Sequence, residues 1–97
     1  MRIIAKKTLR AFWEKHPDAE QPLKAWYEMA KAADWRNPAA LKAQIGTASL
    51  VGRDRVVFNI AGNKYRLVVA VNYRYQALYI RFVGTHGQYD LINAAEV

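Results

Sequence analysis

The chain contains no cysteine, which excludes a disulfide framework, a thiol nucleophile and a cysteine-based zinc site. Only two histidines are present, His16 and His86, and they stand far apart. With no cysteine beside them they argue against a metal centre. No apolar run approaches the roughly 18 residues of a membrane span, and Met1–Lys6 is too short for the apolar core of a signal peptide. The expected compartment is therefore the cytoplasm, with no membrane partner. Glycine is scarce, at five residues. Gly62, Gly84 and Gly87 read as turns, because no G-x-G-x-x-G or Walker spacing exists to cradle a phosphate, and no cofactor is expected. Acidic residues are few as well: 8 against 15 basic ones, for a net charge of +7 and a pI near 9.9.

What is present fits one folded domain over residues 1–97. At 53% hydrophobic and 24% charged, the composition is that of a globular protein rather than a disordered one. Arg2–Ala5 reads as a short first strand. Thr8 is placed to cap a helix whose Leu9, Phe12 and Trp13 share a face and which Pro17 closes, with His16 at its C-terminal end. Asp18 is placed to cap a second helix, with Gln21 in the capping-box position and Pro22 in the first turn. Leu23, Trp26, Tyr27 and Ala30 recur at i, i+3, i+4 and i+7, a helical core stripe. Asn37-Pro38 opens a third helix with Leu41 and Ile45 inward, and Gly46 stops it. Residues 47–54 read as a loop.

Three strands follow. From Arg55 to Ile60, Val56, Phe58 and Ile60 alternate with Arg55, Val57 and Asn59. After a tight turn at Ala61-Gly62-Asn63, the stretch Lys64–Arg74 sends Tyr65, Leu67, Val69 and Val71 to one face and Arg66, Val68 and Ala70 to the other. In the last strand Leu78, Ile80 and Phe82 are expected opposite Tyr79, Arg81 and Val83. The fold class that follows is α+β: a small antiparallel sheet with the N-terminal helices packed on one face.

The chemistry gathers in this last third. If the final hairpin turns about Tyr75, Arg66 faces Gly84, and counting back from Gly62 and Asn63 puts Asn59 opposite Arg66. His86 lies two residues past Gly84, with Tyr89 and Asp90 close by in sequence, where a carboxylate can orient the imidazole. A guanidinium binds phosphate bidentately and stabilises the extra charge of a pentacoordinate phosphorus. A histidine takes a proton from a 2′-hydroxyl or gives one to a leaving 5′-oxygen. Between Arg53 and Arg81, six basic residues (Arg53, Arg55, Lys64, Arg66, Arg74, Arg81) meet one acidic residue, Asp54. Such a strip suits a polyanion. Tyr73, Tyr75, Tyr79 and Tyr89 serve equally as base-stacking platforms or as cross-strand packing partners. A non-catalytic basic domain that binds RNA or the ribosome is the alternative to a nuclease.

The segments G-N-K-Y-R-L-V-V-A-V and Y-I-R-F-V-G-T-H-G-Q-Y-D, with V-F-N-I before them, resemble the HigB toxins of the RelE superfamily. That resemblance implies a RelE-like fold and metal-independent, ribosome-dependent cleavage of mRNA by 2′-hydroxyl attack. It implies a cognate helix-turn-helix antitoxin, HigA-like, through which alone the toxin would meet DNA. Arg66 occupies the place of an arginine that contacts the scissile phosphate in RelE-like toxins. His86 stands where those toxins carry a second arginine, and Tyr89 is the candidate for a C-terminal tyrosine base. The lysine pair of the preceding strand is replaced here by Val57 and Asn59. Transition-state charge then falls to Arg66, Lys64 and Arg53 or Arg55, and proton transfer to His86. The RNA-binding set expected is Arg53, Arg55, Asn59, Lys64, Arg74 and Arg81.

Overall fold

A computed structural model describes all 97 residues. The elements run β1 (Arg2–Ile4), α1 (Lys6–Lys15), a 3-10 turn at Pro17–Ala19, α2 (Glu20–Ala32), α3 (Pro38–Gln44), β2 (Ser49–Val51), β3 (Arg55–Ile60), β4 (Tyr65–Asn72), β5 (Ala77–Thr85) and α4 (His86–Tyr89). The five strands form one sheet in the order β1-β5-β4-β3-β2. β2 to β5 are an antiparallel meander. β1 joins the far edge parallel to β5, so the sheet is mixed rather than wholly antiparallel. The α+β architecture holds. No helix is long and apolar enough to cross a membrane.

The N-terminal helices cover one face of the sheet. Leu9 and Trp13 of α1, Leu23, Trp26 and Ala30 of α2 and Leu41 of α3 are buried against Val56, Phe58, Leu67, Val69 and Val71. Each fully covered leucine or valine stabilises the fold by about 1.5–3 kcal/mol. The opposite face is not bare. Val57, Val68 and Ala94 form a second cluster with Phe82, Tyr89 and Ile92 around it, so the C-terminal segment covers part of that face.

Four local expectations are corrected. Thr8 does not cap α1: the chain enters the helix directly from β1, Ala5 is the N-cap and no side chain serves it. Asp18 does not cap α2 either, since it lies inside the 3-10 turn and α2 begins at Glu20. Residues 49–51 are a strand, held by pairing with Arg55–Val57. The fourth concerns β5. Val68 pairs with Phe82 but Val69 pairs with Ile80, which leaves Arg81 as the extra residue of a β-bulge. The bulge reverses the alternation, so Leu78, Ile80 and Val83 pack toward the helices while Phe82 joins the opposite face. As expected, Asn37 caps α3, its side-chain oxygen accepting from the Ala40 amide at 2.8 Å, and His16 is the C-cap of α1.

Candidate active site

Arg66 sits near the start of β4, on the face away from α1 and α2. In the ladders Asn59 is its partner on β3 and Gly84 its partner on β5, so the three positions form one row across the sheet. The arginine is half-buried and anchored to the turn before it. Nη1 donates to the Asn63 carbonyl at 3.1 Å and the Tyr65 carbonyl at 3.2 Å, and Nη2 donates to Asn63 Oδ1 at 2.6 Å. A guanidinium has five N–H donors, so these three bonds leave at least two for an incoming anion. Asn63 thus holds the charge in place without neutralising it.

The strand partner of Arg66 is a glycine for a steric reason. A Cβ at position 84 would lie 2.6 Å from the Phe82 ring and 2.8 Å from Gln88 Oε1. Its absence lets α4 fold back against the end of β5. The turn into α4 is closed by a capping box: Thr85 accepts from the Gln88 amide at 3.1 Å, and Gln88 Oε1 accepts from the Thr85 amide at 2.8 Å. His86 is then the first residue of the helix, with Nδ1 3.3 Å from Asp90 Oδ2 and about half of its side chain exposed. That contact engages Nδ1 and leaves Nε2 without a protein partner. Tyr89, one turn on, is half-buried and packs on the Val57–Val68 cluster, on the face that carries Arg66.

The other basic residues separate into groups. Lys64 is bound by Asp18, whose second oxygen accepts from the Tyr65 hydroxyl. Hydrogen bonds from Lys64 and then Tyr65 hold the Asp18 carboxyl below the usual carboxylate range. In return, Asp18 pushes the Lys64 ammonium and the Tyr65 hydroxyl upward. Arg55 is engaged by Asp54 and by the Val97 carbonyl at 2.9 Å. Arg53 and Arg74 lie in turns at the opposite end of β3 and β4 from Arg66. Arg81 projects from the bulge, its guanidinium 6.0 Å from the centre of the Tyr79 ring. The structure therefore brings together Asn59, Arg66, Gly84 and α4 with His86 and Tyr89, and leaves Arg53, Arg55 and Arg74 at the far end of the sheet.

Two contributors were not singled out from the sequence. Asp18 reads in the sequence as a helix start, and its use by Lys64 and Tyr65 depends on tertiary contact alone. Gln88 was legible, because Thr85-x-x-Gln88 is the spacing of a capping box. The arrangement offers a fixed cation, an imidazole beside a carboxylate, and a phenol. Together these suit charge stabilisation and proton transfer at a phosphodiester.

Residues 19–92 match a family described as HigB_toxin, RelE-like toxic component of a toxin-antitoxin system. Over 96 residues, 97% of this chain and 92% of the relative, the chain is 33% identical to the "mRNA interferase toxin HigB" of Escherichia coli (strain K12). The same identity and coverage hold for the "mRNA interferase HigB" proteins of Escherichia coli O157:H7 and Shigella flexneri.

Proposed function

The chain belongs to the HigB family of RelE-like toxins, and from that premise we propose that it is an endoribonuclease that cleaves translated mRNA on the ribosome, without a metal ion. The attacking group is the RNA's own 2′-hydroxyl. As its oxygen bonds to the adjacent phosphorus it loses its proton, the bond from phosphorus to the 5′-oxygen breaks, and that oxygen takes up a proton. The products are a 2′,3′-cyclic phosphate and a 5′-hydroxyl. Arg66 holds the phosphate and stabilises the charge that builds on its oxygens. His86 exchanges a proton with one of the two reacting oxygens, and Tyr89 is the second group on α4 able to do so. Asn59 extends the polar row beside Arg66, and the basic residues beyond it hold the RNA backbone.

The observation that carries this reading is the ladder register that sets Arg66 opposite Gly84, with α4 following at once. The partner that restrains such a toxin is an antitoxin. We assign that partner as HigA-like, with a helix-turn-helix domain that supplies the only link to DNA. Toxin and mRNA would meet in the cytoplasm. Expression without the antitoxin should arrest growth, and cellular mRNA should acquire 2′,3′-cyclic or 3′-phosphate and 5′-hydroxyl ends. Normal growth at high levels of folded protein, or RNA that is bound but intact, would sink the nuclease reading and leave a binding domain.

A further inference from the structure

Alongside the candidate active site, a groove of about 440 Å3 opens between α1 and β5. β1 pairs only with Ala77, Leu78 and Tyr79, so β5 has no strand on its outer side from Arg81 onward. Thr8, Phe12, Lys15 and His16 form one wall, and Arg81 and Gln88 stand on the other. No acidic side chain lines it. Lys15 and Arg81 make no ion pair. Two uncompensated cations on facing walls draw in a polyanion. The His16 ring lies stacked on Phe12 with centroids 4.3 Å apart, which gives the groove a flat aromatic element of the kind on which bases stack.

The groove is continuous with the site. Gln88, on its rim, is two residues from His86 and closes the turn into α4. Neighbouring strands lie about 4.8 Å apart, so the outer edge of β5 is within reach of a nucleotide next to one whose phosphate rests on Arg66. We propose that this groove is a second RNA subsite. It takes the single-stranded backbone flanking the scissile phosphate, with Lys15 and Arg81 as phosphate contacts and the Phe12–His16 pair as the stacking element. The proposal rests on the reading of the chain as an RNA-cleaving toxin. An extended acidic peptide would also find an open strand edge here, but the aromatic pair and the continuity with α4 favour RNA.

The test is binding of a short 2′-O-methyl oligoribonucleotide, whose blocked 2′-oxygens prevent cleavage, measured by fluorescence anisotropy over a range of salt. In the wild type, amide NMR signals of residues 8–16 and 81–88 should shift on its addition. In the K15Q/R81Q variant the affinity should fall several-fold. Its log–log salt slope should become shallower by roughly 1.4, for two lost contacts at about 0.7 each. Both side chains are exposed, and circular dichroism should show the fold intact. Unchanged affinity and slope in the variant would overturn the subsite. So would weakened antitoxin binding with RNA binding preserved, which assigns the groove to a protein partner. Oligonucleotide binding that depends on Lys15 and Arg81, in a chain that cleaves no mRNA, supports the groove and overturns only the catalytic reading.

Discussion

Arg66 and Gly84 face each other across the β4–β5 ladder, one bringing a fixed positive charge and the other the space that Phe82 and Gln88 occupy. The pairing explains why the candidate site stands where it does. The arginine is held by the Asn63 turn, and the missing side chain opposite admits Phe82 and Gln88. The helix that follows then carries His86 and Tyr89 alongside. Charge, space, imidazole and phenol come from one hairpin and the short helix that follows it.

Replacing Arg66 by alanine should abolish mRNA cleavage and leave the fold. The hydrogen bonds lost go to the rim of a turn, so the cost should be about 1 kcal/mol. Urea denaturation and a cleavage assay on translating ribosomes check the two halves separately. A large loss of stability would make Arg66 a structural residue.

Gly84→Ala should be the more disruptive change. A methyl group 2.6 Å from the Phe82 ring and 2.8 Å from Gln88 Oε1 forces one of them away. Overpacking of this kind costs about 1–3 kcal/mol. Because Gln88 closes the turn before His86, activity should fall beyond what the lost stability explains. Comparing the denaturation midpoint with the single-turnover rate separates the two effects.

His86→Gln tests proton transfer. The amide keeps hydrogen-bonding capacity but does not titrate, so RNA binding should survive while the rate drops by about 10²- to 10⁴-fold. Histidine is the side chain that ordinarily changes charge around neutral pH, so any bend in the wild-type rate there should vanish in the variant. A variant that cleaves at the wild-type rate would move the role to Tyr89 or to the ribosome.

The cluster of Asp18, Lys64 and Tyr65 predicts a pH dependence of stability. Its hydrogen bonds lower the carboxyl's pKa in the folded state. A group depressed on folding stabilises the protein above its unfolded value, and that contribution is lost as pH falls through the folded one. Wild type and Asp18→Asn should therefore differ in Tm near neutrality and converge in acid, as pH falls below the ordinary aspartate pKa of about 3.9. A gap that persists in acid would assign the effect to packing.

Much of this was legible beforehand, for identifiable reasons. The α2 stripe of Leu23, Trp26 and Ala30 and the alternation of β3 are local patterns, and local patterns survive folding. The facing of Arg66 with both Asn59 and Gly84 followed from counting across two tight turns. What escaped depends on distant partners. Ser49–Val51 is a strand only because β3 lies beside it. Trp35 is buried in a connection with no periodicity, where its indole nitrogen donates to Gln44 Oε1 at 2.7 Å. The bulge at Arg81 leaves no mark in composition, yet it decides that Phe82 rather than Val83 shares a face with Arg66.

The basic residues at the two ends of β4 carry a consequence for what this molecule can grip. Arg66 and Arg74 are separated by the length of an eight-residue strand, on the order of 25 Å at about 3.3 Å per residue. A short oligonucleotide seated at one end leaves the other in water. Any polyanion that touches both at once, folded or extended, has to span that distance. Such two-point attachment multiplies affinities through effective concentration without any single strong contact. The spacing sets a minimum span, below which a ligand engages one end of the strand and leaves the other free.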